Sequence, residues 1–144
     1  MVIQDRFLTL YRRLRLLSYR RLLRRAGKLT IAEAFSADII HLMGRPTVTE
    51  FAGIMGITQP SATYKVNNLS AKGVIRKLAS ARDRRECRLQ AGDNYRRHTL
   101  ESPGMMEAVL QKLSRRFTPE ELSATASVLD ALITELEQEE EIQK

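Results

Sequence analysis

The sequence predicts a mainly α-helical fold in which short helices and one β-hairpin form a small lobe between longer helices at the two chain ends. Three observations carry this. Helix-start signals at Thr47 and Thr58 stand on either side of Gly56 and leave space for only a tight turn. After Gly73 the apolar spacing falls from three or four residues to two. The segments near both termini carry long runs of helical spacing instead.

The chain has 144 residues and a mass of 16.4 kDa, a size that one domain accounts for. One domain over 1–144 is therefore expected, with 31–92 as the lobe and 1–30 and 103–144 as dimerisation helices. At 43% hydrophobic residues it has enough apolar matter for a core. No apolar run approaches the ~18–20 residues that span a bilayer. Cys87 is the single cysteine, so an internal disulfide is excluded. Asp5 and Arg6 interrupt any apolar leader, and a reducing cytoplasm is the expected compartment.

The net charge is +7, with a pI near 10.0. Residues 1–30 carry nine basic and one acidic residue, residues 31–100 eleven and six, and residues 101–144 four and ten. The first two-thirds suit a polyanionic partner, while the tail would repel one.

From about Asp5 to Arg25, Phe7, Leu10, Tyr11, Leu14, Leu17 and Leu22 mark one helical stripe, with arginines on the other sides. Gly27 is the expected stop. Such a helix could lie on a membrane surface, contact phosphates or join two subunits. The third use is preferred, because the other chain end supplies acidic residues. A second helix is expected over Ile31–Met43, with Ala34, Phe35, Ile39, Leu42 and Met43 as its apolar stripe, ended by Gly44 and Pro46. Pro46 to Val48 suits a minimal edge strand.

Thr47 and Glu50 have capping-box spacing, and Val48, Phe51, Ala52 and Met55 form the inward stripe of a two-turn helix. Thr58 caps the next helix, and Pro60 is tolerated in its first turn, where an amide would be orphaned anyway. Ala62, Val66 and Leu69 form the inward stripe, and Gly73 suits a left-handed stop. Val74 to Leu78 then reads as a strand, Ala79 to Arg84 as a turn, and Arg85 to Gln90 as a second strand with Cys87 and Leu89 inward. A helix-turn-helix followed by a hairpin is a winged helix-turn-helix.

Helical spacing resumes at Asp93 and breaks at Ser102 to Gly104. Over Met105–Phe117 the stripe is Met106, Val109, Leu110 and Leu113. Thr118, Pro119 and Glu121 then give a cap, a first-turn proline and a box glutamate. Leu122, Ala126, Leu129, Ile133 and Leu136 follow in steps of four and three, a coiled-coil-like seam, before an acidic end expected to fray. Leu10, Leu14 and Leu17 with this seam form the candidate dimer interface.

The outward side of the second lobe helix is rich in hydrogen-bonding groups. The candidate DNA-contacting set there is Gln59, Ser61, Ala62, Thr63, Tyr64, Lys65, Asn67 and Asn68. Asn and Gln pair bidentately with adenine, and Ser and Thr serve either kind of base edge. The hairpin tip adds Arg82, Arg84 and Arg85, a residue type drawn to narrow, A·T-rich minor grooves. Arg76 and Lys77 are candidates for phosphate contacts. An ordinary polar face and a salt-bridged turn are the bland alternatives.

Cys87 reads as a small inward hydrophobe, and Met43, Met55, Met105 and Met106 as core. His41 and His98 lack zinc-ligand spacing. No Gly-rich phosphate loop or recognisable catalytic set is present. Neither cofactor, metal nor enzyme activity is expected.

The span from Phe35 to Gln90 resembles the MarR family of winged-helix transcription regulators. The resemblance rests on TVTEFAGIMGITQPSATYKVNNLSAKGVIRKL and ARDRRECRL: the TVTE helix start, the LSAKG helix end and Asp83-Arg84-Arg85 in the hairpin, in that order. Lys65 stands where the family commonly has an apolar residue, and Ala91-Gly92 replaces the usual Leu-Thr pair after the wing. The resemblance implies dimerisation through long helices from both chain ends. It also implies that Asp83 holds one arginine while another enters the groove, and Arg84 is expected in the groove with Arg85 in the internal pair. It further implies repression relieved by a small lipophilic or aromatic effector, bound between the lobe and the dimer helices.

The expected function is therefore that of a homodimeric, sequence-specific regulator of transcription that binds double-stranded DNA at a pseudopalindromic site and does not act at a membrane. A winged-helix module that binds another protein and a non-specific DNA-packaging protein are the alternatives.

Overall fold

The computed structural model describes residues 1–25, 29–80, 82, 86–96 and 104–142. Contacts divide the chain into two units, Met1–Ser102 and Pro103–Lys144. The first holds helices α1 (Val2–Arg25), α2 (Ile31–Leu42), α3 (Val48–Met55) and α4 (Gln59–Ala71), strands β1 (Ile75–Ala79) and β2 (Cys87–Ala91), and a single turn α5 (Asp93–Arg96). The second holds α6 (Met105–Ser114) and α7 (Pro119–Ile142). Of the sequence expectations, Gly27, Asp83, Arg84, Arg85, His98, Ser102 and Pro103 lie outside the described residues.

Caps set the helix boundaries of the lobe. Thr30 and Glu33 form a capping box at α2, as Thr47 and Glu50 do at α3, and each threonine hydroxyl accepts from the glutamate amide. Thr58 Oγ1 accepts from Ser61 N at α4, with Pro60 in the first turn. Gly56 ends α3 at φ 63°, ψ 35°, a left-handed conformation costly for any residue with a Cβ. Ile57 N then donates back to Ala52 O at 3.1 Å, so α4 starts directly after the turn.

One apolar cluster joins these elements. Ala37, Ile40, Phe51, Ala52, Ala62, Val66, Leu69, Ile75 and Leu89 are buried together, with Val48, Met55, Ile57 and Tyr95 packed at its edge. The stripes expected for α3 and α4 are the buried ones. That of α2 is corrected: its inward side is Ala34, Ser36, Ala37 and Ile40, whereas Phe35 is exposed and Leu42 is 69% exposed. Of the expected stripe, Ala34 is buried and Ile39 packs against the cluster, while Phe35 and Leu42 lie off the inward side that Ala34, Ala37 and Ile40 define. Ser36 tolerates burial by donating its hydroxyl to Ala32 O at 2.8 Å.

The hairpin also differs in detail from expectation. It is antiparallel, with Ile75 opposite Ala91 and Ala79 opposite Cys87, so Val74 precedes the first strand and Ala79 and Ala91 belong to the sheet. Cys87 shares the inward side of β2 with Leu89 and Ala91 but is only half-buried, because it lies at the turn end of the ladder. The departure at Ala91-Gly92 has a steric cause. Gly92 N donates to Val74 O at 2.8 Å, and a Cβ at this residue would stand 3.0 Å from Gly73 O. The expected edge strand is a single bridge, Thr47 to Arg88.

Beyond the lobe, α1 carries exposed Leu10 and Leu14 and half-buried Leu17. Arg15 stacks between Tyr11 and Tyr19 and donates to both hydroxyls, at 2.9 and 2.5 Å. In the second unit, Thr118 and Glu121 form the expected box. Along α7, Leu122 is half-buried, and Ala126, Leu129, Ile133 and Leu136 are exposed. The helix runs through the acidic end to Ile142.

Phe51→Ala is expected to lower stability by about 3–5 kcal/mol in urea denaturation, from lost burial and the cavity left behind. Ile54→Ala, on the solvent side of α3 and 61% exposed, should stay within about 0.5 kcal/mol of wild type.

Candidate nucleic-acid interface

The outer side of α4 and the hairpin beside it form the candidate site. Anchoring of α4 through Ala62, Val66 and Leu69 leaves the opposite residues outward by helical geometry. Gln59, Thr63, Tyr64 and Asn67 are exposed, Tyr64 at 68%. Ser61, Lys65 and Asn68 are half-buried along the flanks. Ala62 is 0% exposed and is removed from the DNA-contacting set: its methyl group faces the core, one turn before Val66.

Lys65 is accommodated at the rim, not in the core. With Tyr64 and Asn68 it lines a groove of about 270 Å³ against Thr30, Ala32, Glu33 and Ser36 of the α2 start. The groove lies within the lobe, between α2 and α4, and is smaller than the usual ~300–1,000 Å³ of small-molecule sites.

The hairpin is tied to the helices at several points. Leu89 N donates to Pro46 O at 2.8 Å. Arg88 Nη1 donates to Arg45 O at 3.1 Å and lies 3.5 Å from Glu50 Oε2, while Nη2 is 3.1 Å from Glu86 Oε1. One guanidinium thus joins β2 to the connection before α3 and to the capping glutamate of α3. On β1, Lys77 Nζ donates to Asn67 Oδ1 of α4. Arg76 lies 3.5 Å from Asp93, which also pairs with Arg96 at 3.0 Å. Arg82 is exposed, and its amide donates to Ser80 Oγ at 3.2 Å.

The following described acidic residues around this surface are paired. Glu50 and Glu86 meet Arg88, Asp93 meets Arg76 and Arg96, and Glu33 meets Lys72 at 2.8 Å. α4 itself contains no acidic residue. Lys72 Nζ, followed by the Thr30 amide, holds the Glu33 carboxyl below its ordinary value. Behind the site, Tyr95 donates to Asp38 Oδ1 at 3.0 Å and meets His41 edge-on. Burial, then the nearby Asp38 charge, pushes the Tyr95 hydroxyl well above its usual range.

Arg88 and Glu33 were not singled out from the sequence. A signal existed for Glu33, since Thr30 and Glu33 have capping-box spacing. None existed for Arg88, whose partners lie up to 43 residues away. Among the described residues, no group of three His, Cys, Asp or Glu side chains is arranged to hold a metal ion. Among those residues no helix is long and apolar enough to cross a membrane.

The family model for the MarR family matches residues 21–87 of the chain. The structure of FabT from Streptococcus pneumoniae in complex with DNA is similar at a TM-score of 0.58 and 22% identity, covering 94% of this chain and 96% of that one. A mutant of MepR from a multidrug-resistant S. aureus clinical isolate is similar at a TM-score of 0.57 and 15% identity, covering 93% and 96%. These likenesses show that the chain shares the fold of those two proteins. Among curated proteins no sequence matches significantly.

The Glu33–Lys72 pair gives a pH test. A carboxylate with a lowered folded pKa adds stability above its unfolded value of 4.5, and that stability disappears as pH falls through the lower folded value. Thermal melts in acid should therefore show wild type losing more stability than Glu33→Gln from about pH 5 downward. Parallel curves would remove this pair from the interactions that hold α4 to α2.

Proposed function

We propose that this chain, which the MarR family model matches over residues 21–87, is a homodimeric regulator of transcription that reads double-stranded DNA. Each subunit places α4 in a major groove and its hairpin in the adjacent minor groove. The observation that carries the reading is the outward side of α4. It is polar, free of acidic residues, and fixed beside a basic hairpin whose neighbouring carboxylates are paired. Phosphates would meet little uncompensated negative charge there.

Gln59, Ser61, Thr63, Tyr64, Lys65, Asn67 and Asn68 are the proposed major-groove and flanking contacts. Arg82 and Arg84 serve the minor groove, with Arg85 held by Asp83. A second copy covers the exposed leucines of α1 and the Leu129, Ile133 and Leu136 seam of α7. The regulator acts in the cytoplasm as a repressor, without a cofactor. A small lipophilic or aromatic effector releases it by binding one dimer geometry better than the other.

Selection from random duplex DNA at ~150 mM salt, near physiological ionic strength, tests the reading. The expected product is an inverted repeat with half-sites about one helical turn apart, bound with an affinity that falls steeply as salt rises. Retention with no enriched sequence would favour packaging, and no retention at lower salt would favour a protein-binding module. Arg84→Ala should weaken binding most at A·T-rich flanks. Leu129→Glu combined with Ile133→Glu should turn the sedimenting dimer into a monomer, by burying unpaired charge. A persistent dimer would place the interface elsewhere.

A further inference from the structure

The carboxamide of Asn67 offers an oxygen that accepts and an Nδ2 group that donates, so on its own it suits several base edges. In this structure the oxygen is engaged. Asn67 is exposed on α4, and Lys77 Nζ of β1 donates to its Oδ1. Strand geometry explains the reach. Ile75 and Lys77 are two residues apart and share one side of β1, and Ile75 is buried in the cluster that holds Val66 and Leu69 of α4. The ammonium group has three donors and no acceptor, so it faces the amide oxygen and not the nitrogen. What Asn67 leaves for an outside partner is chiefly the Nδ2 donor pair.

Resting on the placement of α4 in a major groove, we propose that Lys77 is a specificity-determining positioning residue. By holding Asn67 Oδ1 it makes Asn67 a donor and sets a preference for guanine over adenine at the base pair that Asn67 meets. Adenine shows an N7 acceptor beside an N6 amino donor, and a bidentate Asn must receive the latter on an oxygen whose other lone pair Lys77 already holds. Here that amino group would meet an oxygen already bonded to a cation, with a second positive donor set close by. Guanine shows N7 and O6, both acceptors. They match Nδ2 and the remaining ammonium hydrogens.

The experiment uses the full chain and the duplex obtained by selection, with each half-site base pair varied singly. Wild type, Lys77→Met, Asn67→Ala and the double variant are compared, after their melting temperatures show that each is folded. Wild type should prefer guanine by about tenfold at one position per half-site, the discrimination typical of a good base contact. Lys77→Met should erase that preference or pass it to adenine at the same position, leaving other positions unchanged. Asn67→Ala should abolish it, and adding Lys77→Met should then change base choice no further. A uniform loss in Lys77→Met across all duplexes, with a shallower salt dependence, would make Lys77 a phosphate contact and overturn the proposal. An unchanged base preference in Asn67→Ala would overturn it as well. If wild type enriches no sequence, the major-groove reading itself fails and takes this inference with it.

Discussion

The seam between β2 and the short connection joining α2 to α3 decides where every other part of the candidate surface stands. Leu89 lies at its centre, buried in the core through its side chain and bonded to Pro46 O through its amide. Next to it, Arg88 pairs with Thr47 in a bridge and sends its guanidinium to Arg45 O, Glu50 and Glu86. Without this seam a two-stranded hairpin would be marginal in water and free to swing. With it, the basic hairpin is held beside α4.

The charged contacts at this seam are too exposed to contribute much stability individually, since surface ion pairs typically add about 0–1 kcal/mol. Their consequence is geometric. Glu50 both caps α3 and meets Arg88, and Glu33 both caps α2 and meets Lys72 at the end of α4. Each carboxylate ties a helix start to another element. Stability comes instead from Phe51, Ile40, Leu69 and their neighbours, packed where α2, α3, α4 and the hairpin converge. Small residues let the backbones approach: Ala37 and Ala62 are wholly buried, and at Gly92 a Cβ would stand in tight contact, 3.0 Å from Gly73 O.

The same pairing has an electrostatic effect. Counter-charges within the lobe occupy Glu33, Glu50, Glu86 and Asp93, while α4 contributes no acid. A polyanion approaching α4 would therefore meet polar groups and cations, with the nearby carboxylates already compensated. At the other end of the chain, α7 concentrates glutamates beyond its seam, which disfavours contact of that segment with phosphates. Charge divides the chain into a part suited to DNA and a part suited to protein contact.

Local signals determined much of this protein. Threonine caps, Gly56, Pro60 and the change of apolar period are properties of a few adjacent residues, so they located α3, α4 and the hairpin without tertiary information. The outward residues of α4 followed from the inward stripe. Tertiary structure decided what depends on partners distant in sequence. It showed that Ala37 and Ile40, not Phe35 and Leu42, meet the core, because the rotation of α2 against its neighbours is set by packing across the lobe. It showed why Gly92 follows the wing, since the restriction comes from Gly73 O. It also brought Arg88 to Arg45 and Lys77 to Asn67, contacts that no local spacing encodes because folding alone brings those residues together.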